Sequence, residues 1–157
     1  MNVELLETVR QSIVQFPGRF SAAQWAFARN ADHVLAGDAR PSGFRCCIAG
    51  HVLLQHGSHT ERDLLEEGGF HTGGELWMQA ADALRLNEHR CRELFFPSQW
   101  DTPYKQNYYL CSADEEAEIA AAYLDYFMQK YGADRPIAQP EPVDAEETVE
   151  PEPVLAS

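Results

Sequence analysis

Ser42-Gly43-Phe44-Arg45-Cys46-Cys47-Ile48-Ala49-Gly50-His51 holds two of the chain's four cysteines, one of its six histidines and two of its ten glycines. Pro41 and Gly43 break the chain, and the apolar spacing beyond them predicts a helix over 46–55. Its core side is formed by Ile48, Val52 and Leu53, or by Cys47 and Leu54. Gly50 inside a helix costs about 1 kcal/mol relative to Ala, a cost that makes sense where another backbone presses against it. Cys47 and His51 stand four residues apart and so share one helical face. The stretch is either the packing centre of a small helical domain or the floor of a site.

Working outward, Leu5, Leu6, Val9, Ile13 and Phe16 recur at helical spacing over 2–16, and Pro17-Gly18 ends that helix. Ser21 and Gln24 make a capping-box pattern that predicts a second helix, with Trp25 as core anchor, fading near Asn30. Residues 31–42 read as a loop or short helical turn. Ser58 with Glu61, or Thr60 with Asp63, opens a short helix through Leu64 and Leu65, which Gly68-Gly69 closes. Residues 70–74 read as a glycine-flanked loop holding His71. The spacing of Leu76, Ala80, Ala83 and Leu84 predicts a helix over 75–86, and Asn87 caps another over 88–95 whose Cys91, Leu94 and Phe95 point inward. Residues 98–110 read as an irregular aromatic loop packed on the helices. Ser112 with Glu115 opens a last helix, bearing Ile119, Tyr123, Tyr126 and Phe127, that Gly132 ends.

These elements predict an all-α protein: a compact bundle of about six helices over 1–131, which a chain of 157 residues with 45% apolar content is long enough to stabilise. Residues 132–157 differ. They hold seven acids and one arginine, and from Ile137 onward four prolines and no aromatic residue, the composition of a disordered acidic tail. The net charge is −13, of which −7 belongs to the body. A surface of that sign, without a basic stripe, speaks against nucleic acid as a partner. No apolar run has the length of a membrane span and the start lacks a signal-peptide pattern, so a cytoplasmic protein is expected. Cysteines at 46, 47, 91 and 111 fit no secreted framework and read as reduced thiols.

Three chemistries use these residues. Cys47 at a helix start with His51 one turn on has the components of a nucleophilic thiolate–imidazole pair, with His33, His71 and His89 as other candidate bases. Cysteine is also among the most buried residue types, and a structural Cys47 is the leading reading. Zinc would need Cys47 and His51 with Cys91, Cys111, or His56 and His59; no Cys-x-x-Cys occurs, and no metal or cofactor is expected. Glu66-Glu67 and Glu115-Glu116 read as solvated surface, and Gly73-Gly74 as an ordinary helix entry. Trp100, Tyr104, Tyr108 and Tyr109 form the candidate binding surface, with the alternative that they close over the core as a lid.

The order of these pieces resembles a family of small uncharacterised bacterial and phage-encoded proteins. Its pattern is a Cys-Gly-Thr-x-x-Cys-Ile-Ala-Gly stretch, a helix ending Ala…Leu-Gly-Leu, a Leu-Phe…Trp-Pro element and a final helix. Residues 42–50, Ala83-Leu84-Arg85-Leu86, Leu94-Phe95 with Trp100, and the helix around Ile119 carry the resemblance. Ser42 stands in place of the first Cys, Phe44 of Thr and Arg85 of Gly. The resemblance implies a fold of this kind, a phage or prophage setting and no particular activity. Together the residues favour a non-catalytic cytosolic protein that binds another protein. A cysteine-dependent hydrolase or transferase using Cys47 with a histidine, and a small zinc-binding domain, are the alternatives.

Overall fold

Asn2 caps the first helix, α1 (Val3–Gln15), by accepting the Leu5 amide hydrogen bond at 3.1 Å. Its Leu6, Val9 and Ile13, three and four residues apart, are completely buried. A computed structural model describes residues 1–22, 25–67 and 74–132. Among these stand seven more helices: α2 (Ala31–Ala36), α3 (Ile48–His56), α4 (Glu61–Glu67), α5 (Gly74–Leu84), α6 (Glu88–Phe95), α7 (Tyr104–Leu110) and α8 (Glu116–Phe127). A single π turn, Met128–Gly132, prolongs α8. Two short strands, β1 (Ala26–Phe27) and β2 (Arg45–Cys46), pair antiparallel. The architecture is all-α, and no described helix is long and apolar enough to cross a membrane.

α1 lies on α8 and α3, α3 on α5, and α7 on α8. The buried faces merge into one cluster in which Tyr123, Leu124 and Phe127 of α8 meet Leu6, Val9 and Ile13 of α1, with Val52 and Leu53 of α3 and Leu84 of α5 alongside. α1 and α8 run antiparallel: Ala22, just beyond α1, donates its amide to the Glu116 carboxylate at 2.9 Å, while Arg10 lies near Asp125 one helix length away. Three caps read from the sequence are in place. Thr60 and Asp63 exchange side-chain-to-amide hydrogen bonds at 2.9 and 3.1 Å, Asn87 accepts the Arg90 amide at 2.8 Å, and Ser112 and Glu115 form the capping box.

Four segments depart from the sequence expectations. Among the described residues the helix expected from Ser21 to Asn30 does not form: Ala26 and Phe27 are strand, in register with Cys46 and Arg45. Phe20 also bridges to Cys46, and Ser21 donates its amide to the Cys46 carbonyl at 3.1 Å. Backbone groups that a helix would satisfy internally are satisfied across the chain, so tertiary pairing overrides the helix preference of an alanine-rich run. Trp25 is buried as the expected core anchor, while Gln24 lies outside the described residues. For the same reason the helix expected from Cys46 begins at Ile48, with Cys47 as its extended N-cap.

The aromatic segment is not a loop. Pro97–Gln99 makes a 3-10 turn and Tyr104–Leu110 a helix, entered through hydrogen bonds from Lys105 to Asp101 and from Asn107 to Pro103. Trp100, Tyr104 and Tyr108 recur every four residues and so face α8 together. Finally, α5 ends at Leu84, and Arg85 follows in the left-handed region at φ +61°. Gly68-Gly69, the His71 loop and the acidic tail beyond Gly132 lie outside the described residues.

Candidate functional site

Cys47, His51 and their neighbours are brought together, but in an arrangement that the helical wheel does not give. Because α3 starts two residues later than its apolar spacing suggests, the sulfur beside His51 is that of Cys46, at 3.2 Å from Nδ1. The same Nδ1 lies 3.0 Å from the Cys47 carbonyl oxygen. A carbonyl only accepts, so Nδ1 carries the proton and donates it to Cys47. That nitrogen is therefore occupied and does not take a proton from the adjacent thiol. Burial lowers the His51 pKa, against the raising effect of its backbone partner at Cys47, and keeps the ring neutral.

Neither thiol is poised as a nucleophile. Cys46 is 0% exposed and Cys47 3%. Burial pushes Cys46 well above its ordinary range. For Cys47, burial again dominates: the amides of Gly50 and Ala49 at the start of α3 favour the thiolate without forming a capping hydrogen bond, and the pKa still rises to about 11. Phe20 packs against the His51 ring at 6.0 Å between centroids. Outside it, Arg19 holds Glu61 and covers the Phe44 ring at 5.5 Å. Gly50 fits this packing closely, since a Cβ there would stand 2.9 Å from both Cβ and Sγ of Cys46. The pressure on Gly50 comes from a side chain, with the Trp25 carbonyl behind it at 3.4 Å.

The other sequence candidates are dispersed. Among the described residues no three His, Cys, Asp or Glu side chains stand where they would hold a metal ion. All four cysteines are free, and only Cys111 is partly exposed. His33 and His89 are exposed and pair with Asp38 and Glu93. Glu115 and Glu116 are more than solvated surface: Glu115 completes a cap, and Glu116 accepts both the Ala22 amide and the Tyr108 hydroxyl at 3.2 Å.

The aromatic set divides between core and surface. Trp100 is buried, stacks on Tyr123 at 4.5 Å with a 16° interplanar angle, and donates its indole hydrogen to the Leu94 carbonyl at 3.0 Å. Tyr104 and Tyr108 are half-buried, the first against Tyr123 and Tyr126, the second against Trp100. Tyr109 is exposed, and Leu110 is 85% exposed, the most exposed of the large apolar side chains described. A network at the far end of α8 holds this layer down. Asp101 accepts hydrogen bonds from Tyr126 at 2.6 Å and Lys130 at 2.8 Å, and those partners keep its carboxyl below the usual range. Arg90 lies 3.5 Å from the centre of the Tyr131 ring.

A cavity of about 430 Å³ lined by Gly18, Phe27, Arg29, Gly43 and Arg45 escapes reading by motif. Its signal in the sequence is charge: residues 17–45 carry four arginines against two aspartates in a chain otherwise rich in acids. Compared with family models, curated proteins and solved structures, the chain gives no match.

Proposed function

We propose that this is a non-catalytic cytosolic protein that binds another protein through the face formed by the outer side of α7 and the adjoining end of α1. The observation that carries the reading is the exposure of Leu110 and Tyr109 on a helix whose inner side is anchored by Tyr104 and Tyr108. Val14 and Phe16, both more than half exposed, end α1. Ala22, beyond α1, and Tyr108 of α7 both donate to the Glu116 carboxylate, which ties the two segments to the N-terminal end of α8. Apolar side chains held on rigid helices and rimmed by charge suit a protein interface. The rim is acidic, with Asp114, Glu115 and Glu118 in the first turns of that region, so the fitting partner presents apolar side chains flanked by lysine or arginine. Buried thiols with raised pKa, and an imidazole engaged by a carbonyl, leave the cysteine-enzyme reading without an accessible nucleophile.

The test is affinity capture with the wild-type chain and with Leu110→Asp. The variant should unfold within about 0.5 kcal/mol of wild type, as exposed substitutions do, and should lose the proteins that wild type retains. Identical recovery by both proteins, or no specific partner for wild type, would count against the reading.

A further inference from the structure

We propose that the cavity between β1 and the loop before β2 is a binding site for a small phosphate monoester, held by Arg29 and Arg45 with its organic part against Phe27. Backbone pairing brings these residues together. Phe27 and Arg45 form the last pair of the two-residue ladder, and beyond it the Arg29 amide donates to the Ser42 carbonyl at 2.8 Å, one residue out of that register. Phe27, Arg29, Gly43 and Arg45 line the cavity together.

Two features distinguish this from ordinary surface. First, Arg10, Arg19, Arg62 and Arg92 each hold a carboxylate; among the described residues Arg29 and Arg45 hold none, as is also true of Arg40, Arg85 and Arg90, but only Arg29 and Arg45 stand together in one cavity. Two uncompensated guanidiniums in one cavity of an acidic protein create a local anion preference, and their planar forks match phosphate oxygens in pairs. Second, both are positioned without being neutralised. Arg45 lies against the Phe27 ring at 5.2 Å from its centre. Arg29 occupies the space that a side chain at residue 43 would take: a Cβ on Gly43 would stand 3.1 Å from its Cζ and Nε, and the glycine backbone is left-handed at φ +64°. A volume of about 430 Å³ falls in the range of small-ligand sites. The acidic remainder of the surface disfavours a long phosphate polymer and admits a small molecule.

The test is isothermal titration of the full chain with phenyl phosphate at fixed ionic strength, followed by Arg29→Gln, Arg45→Gln and, as control, Arg92→Gln. The expected result is one saturable site, weakened at least tenfold by either cavity substitution and unchanged by the control. In parallel, amide chemical shifts of the wild-type protein titrated with phenyl phosphate should move at Phe27, Arg29, Gly43 and Arg45. This readout decides the matter even if a variant fails to fold. Absence of saturable binding, shifts centred elsewhere, equal affinity for succinate, or retention of full affinity by both cavity variants would overturn the proposal.

Discussion

At the scale of single residues, the decisive position is Gly50. Its contact with Cys46 makes the start of α3 a place where a β-carbon does not fit. Gly50→Ala gains about 1 kcal/mol of helix propensity, but it forces two buried groups apart in a core closed on every side. Overpacking of that kind costs about 1–3 kcal/mol. The net expectation is a fall of about 1–2 kcal/mol in unfolding free energy, measured by urea denaturation with an unchanged slope; a more stable variant would refute the packing account. Arg85 is the opposite case. It holds a left-handed conformation that costs a non-glycine residue about 1 kcal/mol. Arg85→Gly should therefore raise the unfolding free energy by about that amount, read by urea denaturation, and an unchanged or lower value would show that the Arg85 side chain contributes to stability. The sequence reading has another backbone pressing on Gly50; the nearest group is instead the Cys46 side chain, with the Trp25 carbonyl behind it, because the helix start was displaced by a pairing between distant segments.

At the scale of elements, legibility followed the source of each element's stability. α1, α6 and α8 carry their own instructions: a cap at one end, a three-and-four apolar spacing, and a stop. The region 20–30 carries misleading ones. Its alanines favour helix, yet Cys46 offers partners to Phe20, Ser21 and Ala26, and those contacts lie 20 or more residues away in the chain. Local pattern does not register such pairing. α7 was present in the sequence in a form easily passed over, since Tyr104 and Tyr108 keep an interval of four, continuing that of Trp100 before the helix, while Lys105, Gln106 and Asn107 between them are polar. The candidate sites divide in the same way. The cysteine–histidine stretch was legible as a group, but which sulfur faces the ring depended on the α3 boundary. The Arg29–Arg45 cavity depended on backbone pairing between residues 26–29 and 42–46, which the motifs did not display.

At the scale of the whole molecule, the cysteine–histidine stretch is the centre on which β1, α1 and α5 converge, with β2 as its own first part. A buried neutral histidine makes stability depend on pH. In the unfolded chain the His51 ring takes up a proton near its ordinary pKa of 6.5, while in the folded protein burial lowers that pKa. Below about pH 6.5 the unfolded state thus binds more protons, and stability present at pH 7.5 is lost as pH falls through that value toward the folded pKa. The loss is at most about 1.4 kcal/mol per pH unit. Urea denaturation at pH 7.5, 6.5 and 5.5 should show this decline in wild type and a flatter profile in His51→Gln; equal profiles would separate His51 from the effect. The most direct measurement is pH-dependent iodoacetamide labelling of the native chain, read cysteine by cysteine by mass spectrometry. Cys111 should label first, with Cys46 and Cys47 protected near neutral pH until denaturant unfolds the protein. Fast labelling of Cys47 near pH 6 in the folded state would contradict the account and reinstate a reactive thiol.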